Sequence, residues 1–219
     1  MGTGLRRVSL REQALDVVRQ ALVAGEIKPG DIYSAAALAE RLGVSNSPVR
    51  EAMLTLVHEG LLEAVPNRGF RVVPLSDTDL DEVYQLRLLL EVPAMVQLAE
   101  RGIAAERERL TGLAEEIERA AADRDVIRFL ETDRAFHLEL LALQGNRRLV
   151  SIVANLRDQT RLYGLKMLAQ QDMLGASAAE HRQLLAAIDA GDTERVSQLT
   201  RAHLEHTRHE WAGEGSPAS

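Results

Sequence analysis

Four side chains in the second half of the chain have the types and the spacing of a metal site. Asp133 and His137 are four residues apart, so on a helix they lie one turn apart on the same face. His181 and His203 are 22 residues apart and fall on two later segments that we expect to form neighbouring antiparallel helices. One carboxylate and three imidazoles that converge in a helical bundle suit a divalent transition metal such as zinc, nickel or manganese.

The alternative is that these are scattered structural histidines, because a single histidine is more often a satisfied core residue than a metal ligand. The chain has 6 histidines. His206 and His209 follow His203 at helical spacing and compete with it for the third imidazole position. Their closeness to Trp211 and the end of the chain favours solvated positions, so His203 is the better candidate.

Upstream, residues 37–73 have the pattern of two helices joined by a tight turn and followed by a short hairpin. Gly43 can adopt the positive φ needed to leave the first helix. Ser47 before Pro48 predicts the start of the second helix, with the serine as N-cap and the proline in the first helical position. The second helix then has an apolar stripe at helical spacing, which we expect to be core: Val49, Ala52, Met53, Leu56 and Val57.

The face opposite that stripe has residues that could read DNA. Asn46, Ser47 and Arg50 lie near the N-terminus of the second helix, where a recognition helix contacts base edges and phosphates. A short two-stranded hairpin follows, with Asn67-Arg68-Gly69 at its tip. This order of elements predicts a winged helix-turn-helix. The alternative is a small helical domain with a hairpin that binds no nucleic acid.

The net charge of −7 is unevenly distributed along the chain. Residues 1–75 contain 9 Lys and Arg against 8 Asp and Glu, a net of +1, whereas residues 76–219 contain 17 against 25, a net of −8. A winged helix needs only a local basic face, and its phosphate contacts would make DNA binding strongly salt-dependent. The arginines that could form this face are Arg6, Arg7, Arg11, Arg50, Arg68 and Arg71.

The composition excludes several other classes of protein. With 219 residues, 46% of them hydrophobic, the chain has room for two ordinary domains with buried cores. It has no cysteine, which excludes disulfides and thiolate metal sites and fits a reducing cytosol. No apolar run approaches the roughly 20 residues that span a bilayer, and residues 1–12 lack the apolar core of a secretion signal. We therefore expect a soluble cytoplasmic protein.

A domain boundary is predicted next to Pro74, because proline cannot continue a sheet ladder and Ser76, followed by acidic residues, is a helix start. We expect a winged helix-turn-helix domain at 1–75, an all-helical domain at 76–212 and a disordered tail at 213–219.

The second domain has six segments of helical pattern, which makes the fold class mainly α. Pro93 should kink the first segment, and Gly175 marks the break before the fifth. The segments are expected at about 77–101, 106–122, 125–143, 147–173, 177–189 and 192–212.

The first 75 residues resemble the DNA-binding half of the GntR family of bacterial transcription factors, in its FadR-type branch. The resemblance lies in VSNSPVREAM at 44–53, LVHEGLL at 56–62 and PNRGFRVV at 66–73. It implies that Arg50 contacts a base or a phosphate. It also implies that Ser45 and Ser47 hold the DNA backbone, and that Arg68 and Gly69 enter the minor groove.

One departure from that family pattern falls on a base-reading position. Asn46 stands where the family usually has an arginine. Arginine pairs bidentately with guanine, whereas asparagine suits adenine. We therefore expect an operator that differs from the family's usual one, or weaker binding.

The second half resembles the ligand-sensing helical (FCD) domain of the same branch, in its VanR-like six-helix version. The resemblance lies in DRAFH at 133–137, GN at 145–146, EH at 180–181 and AH at 202–203. It implies a metal held at the positions of the four residues named above, with a small carboxylate bound at or beside it.

Two arginines are candidates for contact with that carboxylate. Arg87 matches a family position that faces the pocket, and an arginine there could clamp a carboxylate bidentately. The alternative for Arg87 is an ion pair with Glu91, four residues along the same helix. Arg161 is a second, weaker candidate.

The sequence therefore predicts a ligand-responsive transcriptional regulator, most simply a repressor, that binds a pseudo-palindromic operator as a homodimer. Its effector would be a small organic or sugar acid. Two alternatives are a regulator in which the metal is itself the signal, and a metal-dependent hydrolytic enzyme. The absence of a recognisable catalytic motif, and the winged helix, argue against the enzyme.

Overall fold

The computed structural model describes residues 9–23, 26–170 and 174–212, without the side chains at 23, 42, 161–170 and 209–212. The tail expected at 213–219 and the arginines at positions 6 and 7 lie outside the described residues. The chain forms two compact units, Met1–Pro74 and Leu75–Ser219. No helix in the described ranges is both long enough and apolar enough to cross a membrane.

The first unit has three helices and three short strands among its described residues. Its elements are α1 Leu10–Val23, β1 Ile32–Tyr33, α2 Ala35–Leu42, α3 Asn46–His58, β2 Leu62–Val65 and β3 Gly69–Val72.

The helix-turn-helix forms because its caps and its apolar stripe agree. The Ser34 hydroxyl accepts a hydrogen bond from the Ala37 main-chain N–H at the start of α2. Gly43 ends α2 at a φ of 65°, the left-handed conformation that glycine adopts without steric cost. On α3 the predicted stripe is buried at Val49, Ala52, Met53 and Leu56, with Val57 half-buried.

The predicted start of the second helix is wrong by two residues. α3 begins at Asn46, and its N-cap is Ser45 in an extended conformation rather than Ser47. Pro48 is then the third residue of the helix instead of the first. It is tolerated there because the first four N–H groups of a helix have no intrahelical partner. The shift brings both Asn46 and Ser47 into the first turn.

The wing has one strand more than the sequence predicts. β2 and β3 form the expected antiparallel hairpin, and β1 adds to the other edge of β3, giving the order β1-β3-β2. Ile32 pairs with Arg71 and Tyr33 with Phe70. A strand of two residues has too little alternation to be recognised in a sequence.

The second unit contains six helices in its described residues, close to the predicted segments. They are α4 Asp77–Arg101, α5 Arg107–Ala122, α6 Val126–Ala142, α7 Arg147–Gln170, α8 Leu174–Asp189 and α9 Thr193–Ala212.

The ends of two helices explain where prediction succeeded and failed. Ser76 starts α4, as the sequence predicts, and the structure adds a reciprocal capping box between Ser76 and Asp79. Gly175 is the second residue of α8 and does not mark a break, so α8 begins three residues earlier than predicted. α4 runs on past the exposed Pro93 as far as Arg101.

These helices pack into one bundle whose core surrounds the candidate ligands. α4 packs against α6, α7, α8 and α9, α6 packs against α5 and α7, and α8 packs against α5 and α9. Phe136, Leu140 and Leu141 on α6 are completely buried. Because His137 follows Phe136 on this buried face, the bundle holds its imidazole in the interior.

Candidate functional site

Three helices bring the four predicted ligands together. α6 contributes Asp133 and His137, α8 contributes His181 and α9 contributes His203, and one possible ligand atom from each lies within 4.8 Å of the others. The three imidazoles are buried, whereas the Asp133 side chain is 17% exposed. The ring centroids of His137 and His203 are 4.8 Å apart, and that of His181 is 5.1 Å from each.

The hydrogen bonds inside this cluster fit a bound cation. His181 Nδ1 is 3.0 Å from the main-chain oxygen of Ser177, so it donates its proton there, and Nε2 lies 2.9 Å from Asp133 Oδ1. A cation held by both of these atoms, whether a proton or a metal ion, would stabilise the contact. His137 Nε2 is buried 3.5 Å from the same oxygen, and it has no hydrogen-bond partner within the described part of the chain.

At Asp133, His137 and His203 the electrostatics favour the protonation states that a metal requires. Burial lowers the pKa of His137 well below its ordinary value, Arg157 lowers it further, and burial also lowers the pKa of His203. Burial opposes ionisation of Asp133, but His137, His181 and Arg157 outweigh it and hold the pKa of this carboxyl well below its usual range. Metal ligation needs neutral imidazoles and an ionised carboxylate.

A row of buried charges continues from Asp133 into the bundle. Arg157 Nη1 donates to Asp133 Oδ2 at 3.2 Å, and Arg157 Nη2 donates to Glu91 Oε2 at 2.7 Å. Arg87 Nε donates to Glu91 Oε1 at 2.6 Å. Burial alone would raise the pKa of Glu91, but Arg157 and Arg87 together lower it to about 2. Opposite charges therefore alternate from Arg87 through to Asp133.

The two predicted effector arginines have different outcomes. The ion pair between Arg87 and Glu91 that the sequence left as an alternative is present, and both side chains are at most 2% exposed. A role for Arg87 with an effector stays a prediction. Arg161 lies on α7, but its side chain falls outside the described residues.

Sequence reasoning missed two polar residues that contact the candidate ligands. Arg157 could have been found, because it shares a helical face with Val153 and Thr160, which are buried. An arginine on such a stripe needs a partner. Glu180 accepts from His203 Nδ1 at 2.8 Å. Its role depends on how α8 and α9 pack, which no local pattern reveals.

The side chains predicted to contact DNA are exposed, in contrast to the ligand cluster. Ser45, Asn46, Ser47, Arg50 and Arg68 are all solvent-facing. No hydrogen bond or ion pair joins the side chain of Arg50 or Arg68 to another described residue. Both guanidinium groups are therefore available to an external partner.

Two other arginines of the predicted basic face have partners within the protein. Arg71 pairs across the hairpin with Glu63 at 2.9 Å. Arg11 donates to the Thr55 hydroxyl at 2.9 Å. The carboxylate of Glu63 offsets the charge of Arg71. The Thr55 hydroxyl fixes the direction of the Arg11 guanidinium but leaves its charge in place.

The backbone conformation at position 69 requires a glycine, in addition to the DNA contact predicted for Gly69. Its φ is 125°, and a Cβ atom placed there would lie 2.3 Å from the main-chain oxygen of Tyr33. Only glycine allows the start of β3 to approach the end of β1 this closely beside the tip of the wing.

Comparison with known proteins identifies both units. Residues 10–72 match the family described as bacterial regulatory proteins, gntR family, and residues 82–206 match the FCD domain. The second match alone covers more than half of the chain. The chain belongs to the gntR family of bacterial regulatory proteins. The resemblance found in the sequence is thereby confirmed for both halves.

Individual relatives cover most of the chain. The HTH-type transcriptional regulator McbR of Escherichia coli (strain K12) is 30% identical over 88% of this chain and 89% of its own length. The solved structure of E. coli McbR/YncC matches with a TM-score of 0.81 and 28% sequence identity, covering 91% of this chain and 95% of that one. The HTH-type transcriptional repressor GlaR of E. coli (strain K12) is 28% identical over 84% of this chain and 87% of its own length.

An uncharacterized relative from a second organism agrees with these. The HTH-type transcriptional regulator YdhC of Bacillus subtilis (strain 168) is 28% identical over 89% of this chain and 87% of its own length. Each relative named here is described as a transcriptional regulator or repressor. The GntR-family chain is accordingly a transcriptional regulator and not an enzyme.

Proposed function

We propose that this GntR-family regulator is a cytoplasmic repressor that binds a pseudo-palindromic operator as a homodimer and responds to a small organic or sugar acid. The observation that carries the proposal is the buried cluster of one carboxylate and three imidazoles in the FCD unit. The description of its relative GlaR as a repressor supports the direction of regulation.

The DNA-reading surface combines the first turn of α3 with the tip of the wing. Asn46 and Arg50 are exposed on successive turns of α3, so both can reach base edges in one major groove. Ser45 and Ser47 place hydroxyl groups beside the N-terminus of the same helix, which favours phosphate contacts. Arg68 at the wing tip is suited to the adjacent minor groove, together with the backbone of Gly69.

Homodimer formation is supported by apolar surface on the FCD unit. Leu86 and Leu89 on α4 are 46% and 71% exposed, and Ile152 on α7 is 50% exposed. Large exposed apolar side chains at neighbouring helical positions are typical of protein interfaces. A dimer would present two winged helices to two half-sites, which gives the specificity that one winged helix lacks.

In the FCD unit, Asp133, His137, His181 and His203 would hold one divalent zinc, nickel or manganese ion. Such an ion attracts anionic oxygen ligands and would hold the carboxylate of the effector in the pocket. The protein's own contribution is to keep His137 and His203 neutral by burying them and to fix Asp133 through Arg157 Nη1. Arg87 and Arg161 are the proposed effector contacts.

Arg87 could contribute to the effector response through the buried ion row. Any effector oxygen that attracted Arg87 or Arg157 would weaken their bonds to Glu91, which joins α4 to α7. α4 follows the domain boundary directly, since it begins at Asp77. The effector regulates DNA binding only if it has different affinities for two conformations of the dimer.

Metal analysis of the purified protein tests the ligand set. We expect one divalent metal per chain in the wild type and most of it lost in His137→Ala. A His58→Ala variant, which removes an exposed histidine of α3, should keep its metal. Full metal content in His137→Ala, or a metal-free wild type that still responds to its effector, would contradict the proposed site.

A second measurement distinguishes a carboxylate effector from the metal itself as the regulatory signal. The same cluster could serve either role. DNA affinity is followed by fluorescence anisotropy while free metal is varied, and then while candidate carboxylates are varied at fixed metal. We expect the carboxylates to change DNA affinity while the bound metal stays constant. Dependence on metal concentration alone would identify the metal as the signal.

A further inference from the structure

We propose that Glu180 is a positioning residue for the candidate metal site, acting by fixing the tautomer and the orientation of His203. The inference rests on the proposed metal-binding function and assigns a role to a residue outside the ligand set. It is carried by the contacts that Glu180 makes from α8 to two imidazoles of α9.

The first contact fixes which nitrogen of His203 can bind a metal. His203 Nδ1 lies 2.8 Å from Glu180 Oε2, and the imidazole is 7% exposed. A carboxylate accepts hydrogen bonds only, so the proton must be on Nδ1. The lone pair is then on Nε2, the nitrogen left for the cluster with Asp133, His137 and His181.

The second contact fixes the carboxylate itself. Glu180 Oε1 accepts from Nδ1 of His206, one turn further along α9, where the imidazole is 57% exposed. Glu180 is itself only 19% exposed. Its two oxygens therefore bridge successive turns of α9, and the carboxylate has little freedom to rotate away from His203.

Comparison with His181 shows why His203 needs such a partner. The Nδ1 proton of His181 is accepted by the main chain of its own helix, at Ser177, so α8 orients this ligand by itself. For His203 the acceptor is supplied by Glu180 on the neighbouring helix. Without Glu180 the buried Nδ1–H would lose its bond, and the other tautomer would become accessible.

Glu180→Ala and Glu180→Gln test this role through metal affinity. Isothermal titration of the metal-free full-length protein with nickel or zinc alone should give about a 10- to 100-fold weaker Kd for Glu180→Ala, the range typical of losing an acceptor behind a metal-bound histidine. Glu180→Gln should restore part of the affinity, because its amide oxygen can still accept from Nδ1. Asp189→Ala is the matched control, because it removes an ion pair between α8 and Arg107 of α5 that involves no imidazole.

Imidazole nitrogen shifts in the metal-free protein give a readout that a purely structural role would not move. Long-range proton–nitrogen NMR should show the Nδ1–H tautomer of His203 in the wild type and in His206→Ala. It should show loss of that tautomer in Glu180→Ala.

The outcomes separate this inference from the proposed function. Wild-type Kd and tautomer in Glu180→Ala would overturn the role of Glu180 while leaving the metal site standing. An equal loss of affinity in His206→Ala and Glu180→Ala, with the tautomer unchanged, would also overturn it. A wild type that binds neither metal would defeat the proposed function and this inference together.

Discussion

The two units of this regulator differ in where their arginines lie and in whether those arginines form ion pairs. In the first unit the arginines proposed to contact DNA, Arg50 and Arg68, are exposed and have no partner among the described residues. In the FCD unit Arg87 and Arg157 are 2% and 4% exposed and are bound to carboxylates inside the bundle. The proposed DNA-binding surface would need its charges free, whereas the proposed effector site would need them fixed before a ligand arrives.

The difference also determines how much each ion pair contributes to folding. An exposed pair such as Arg71 and Glu63 contributes about 0–1 kcal/mol, because solvent screens it and ordering two long side chains costs entropy. Breaking a buried pair costs about 3–5 kcal/mol, since it leaves a charge without compensation in a medium of low polarity. Substitutions of the same kind should therefore have very different consequences in the two units.

The largest effect is expected from Glu91→Gln. Glu91 is ion-paired with both Arg87 and Arg157, so the neutral amide should lower the free energy of unfolding of the FCD unit by about 3–5 kcal/mol. Urea unfolding of the metal-free protein, followed through the single tryptophan, Trp211, measures it. Glu63→Gln in the wing is the control and should cost less than about 1 kcal/mol. Equal losses for the two variants would remove the distinction between the units.

Acid should destabilise the FCD unit through the same residue. The pKa of Glu91 falls from an ordinary 4.5 to about 2 on folding. A carboxyl with a lowered folded pKa stabilises the protein above its unfolded pKa, and this contribution is lost as pH falls through the folded value. We expect about 3 kcal/mol to be lost between pH 4.5 and about 2. Urea midpoints over that window check it, and Glu91→Gln should lack this part of the pH dependence.

Gly69→Ala should distort the wing while leaving the FCD unit unchanged. The added Cβ would meet the Tyr33 main-chain oxygen at 2.3 Å, and the φ of 125° is itself unfavourable for alanine. Strain of this kind costs about 1–3 kcal/mol, and DNA affinity should fall with the displaced wing tip. Gly43→Ala is the control: it also has a positive φ, but a Cβ there meets nothing within 4 Å. Equal melting temperatures for the two variants would show that β1 moves away from the added Cβ without loss of stability.

The wing illustrates what the sequence could and could not predict. Periodicity and caps located the starts of α2 and α3 and the six helices of the second unit to within three residues, because apolar spacing and residues such as Ser76 act locally. β1 was missed because Ile32 and Tyr33 become a strand only by pairing with β3. The N-cap was misplaced because Ser45 and Ser47 are equally good capping residues, and only the packing of α3 decides between them.

The candidate site divides in the same way. Spacing on one helix placed Asp133 and His137 together, and residue type suggested His181 and His203. The support around them, Arg157 and Glu180, depends on contacts across three helix pairs. Such contacts have sequence separations from 23 to 66 residues, at which a single sequence gives no pairing signal.

Arg50→Ala tests whether an exposed arginine of the first unit, unpaired among the described residues, contacts DNA. If Arg50 makes a bidentate contact with a base, its loss should weaken operator binding by about 1–3 kcal/mol. Folding should be unaffected, because the side chain lies off the buried stripe of α3. Arg195→Ala, an exposed arginine of α9, is the control and should bind the operator normally. Anisotropy titrations at one salt concentration measure both, and wild-type affinity in Arg50→Ala would remove this residue from the recognition surface.

The smallest change in total affinity is expected from Asn46→Arg, because it exchanges one base contact for another. Asn46 is exposed in the first turn of α3, where arginine would pair bidentately with guanine instead of adenine, with about 1–3 kcal/mol of discrimination at that base pair. A positive charge at a helix N-terminus is unfavourable by about 0.3–1 kcal/mol, so a slight loss of stability should accompany the change. Selection of bound sequences from a random pool, wild type against variant, compares the two preferences. An unchanged consensus would place Asn46 away from the bases and leave Arg50 as the base-reading residue of α3. The variant should still fold in either case, because an exposed position tolerates a new charge that the buried ion pairs of the FCD unit would not.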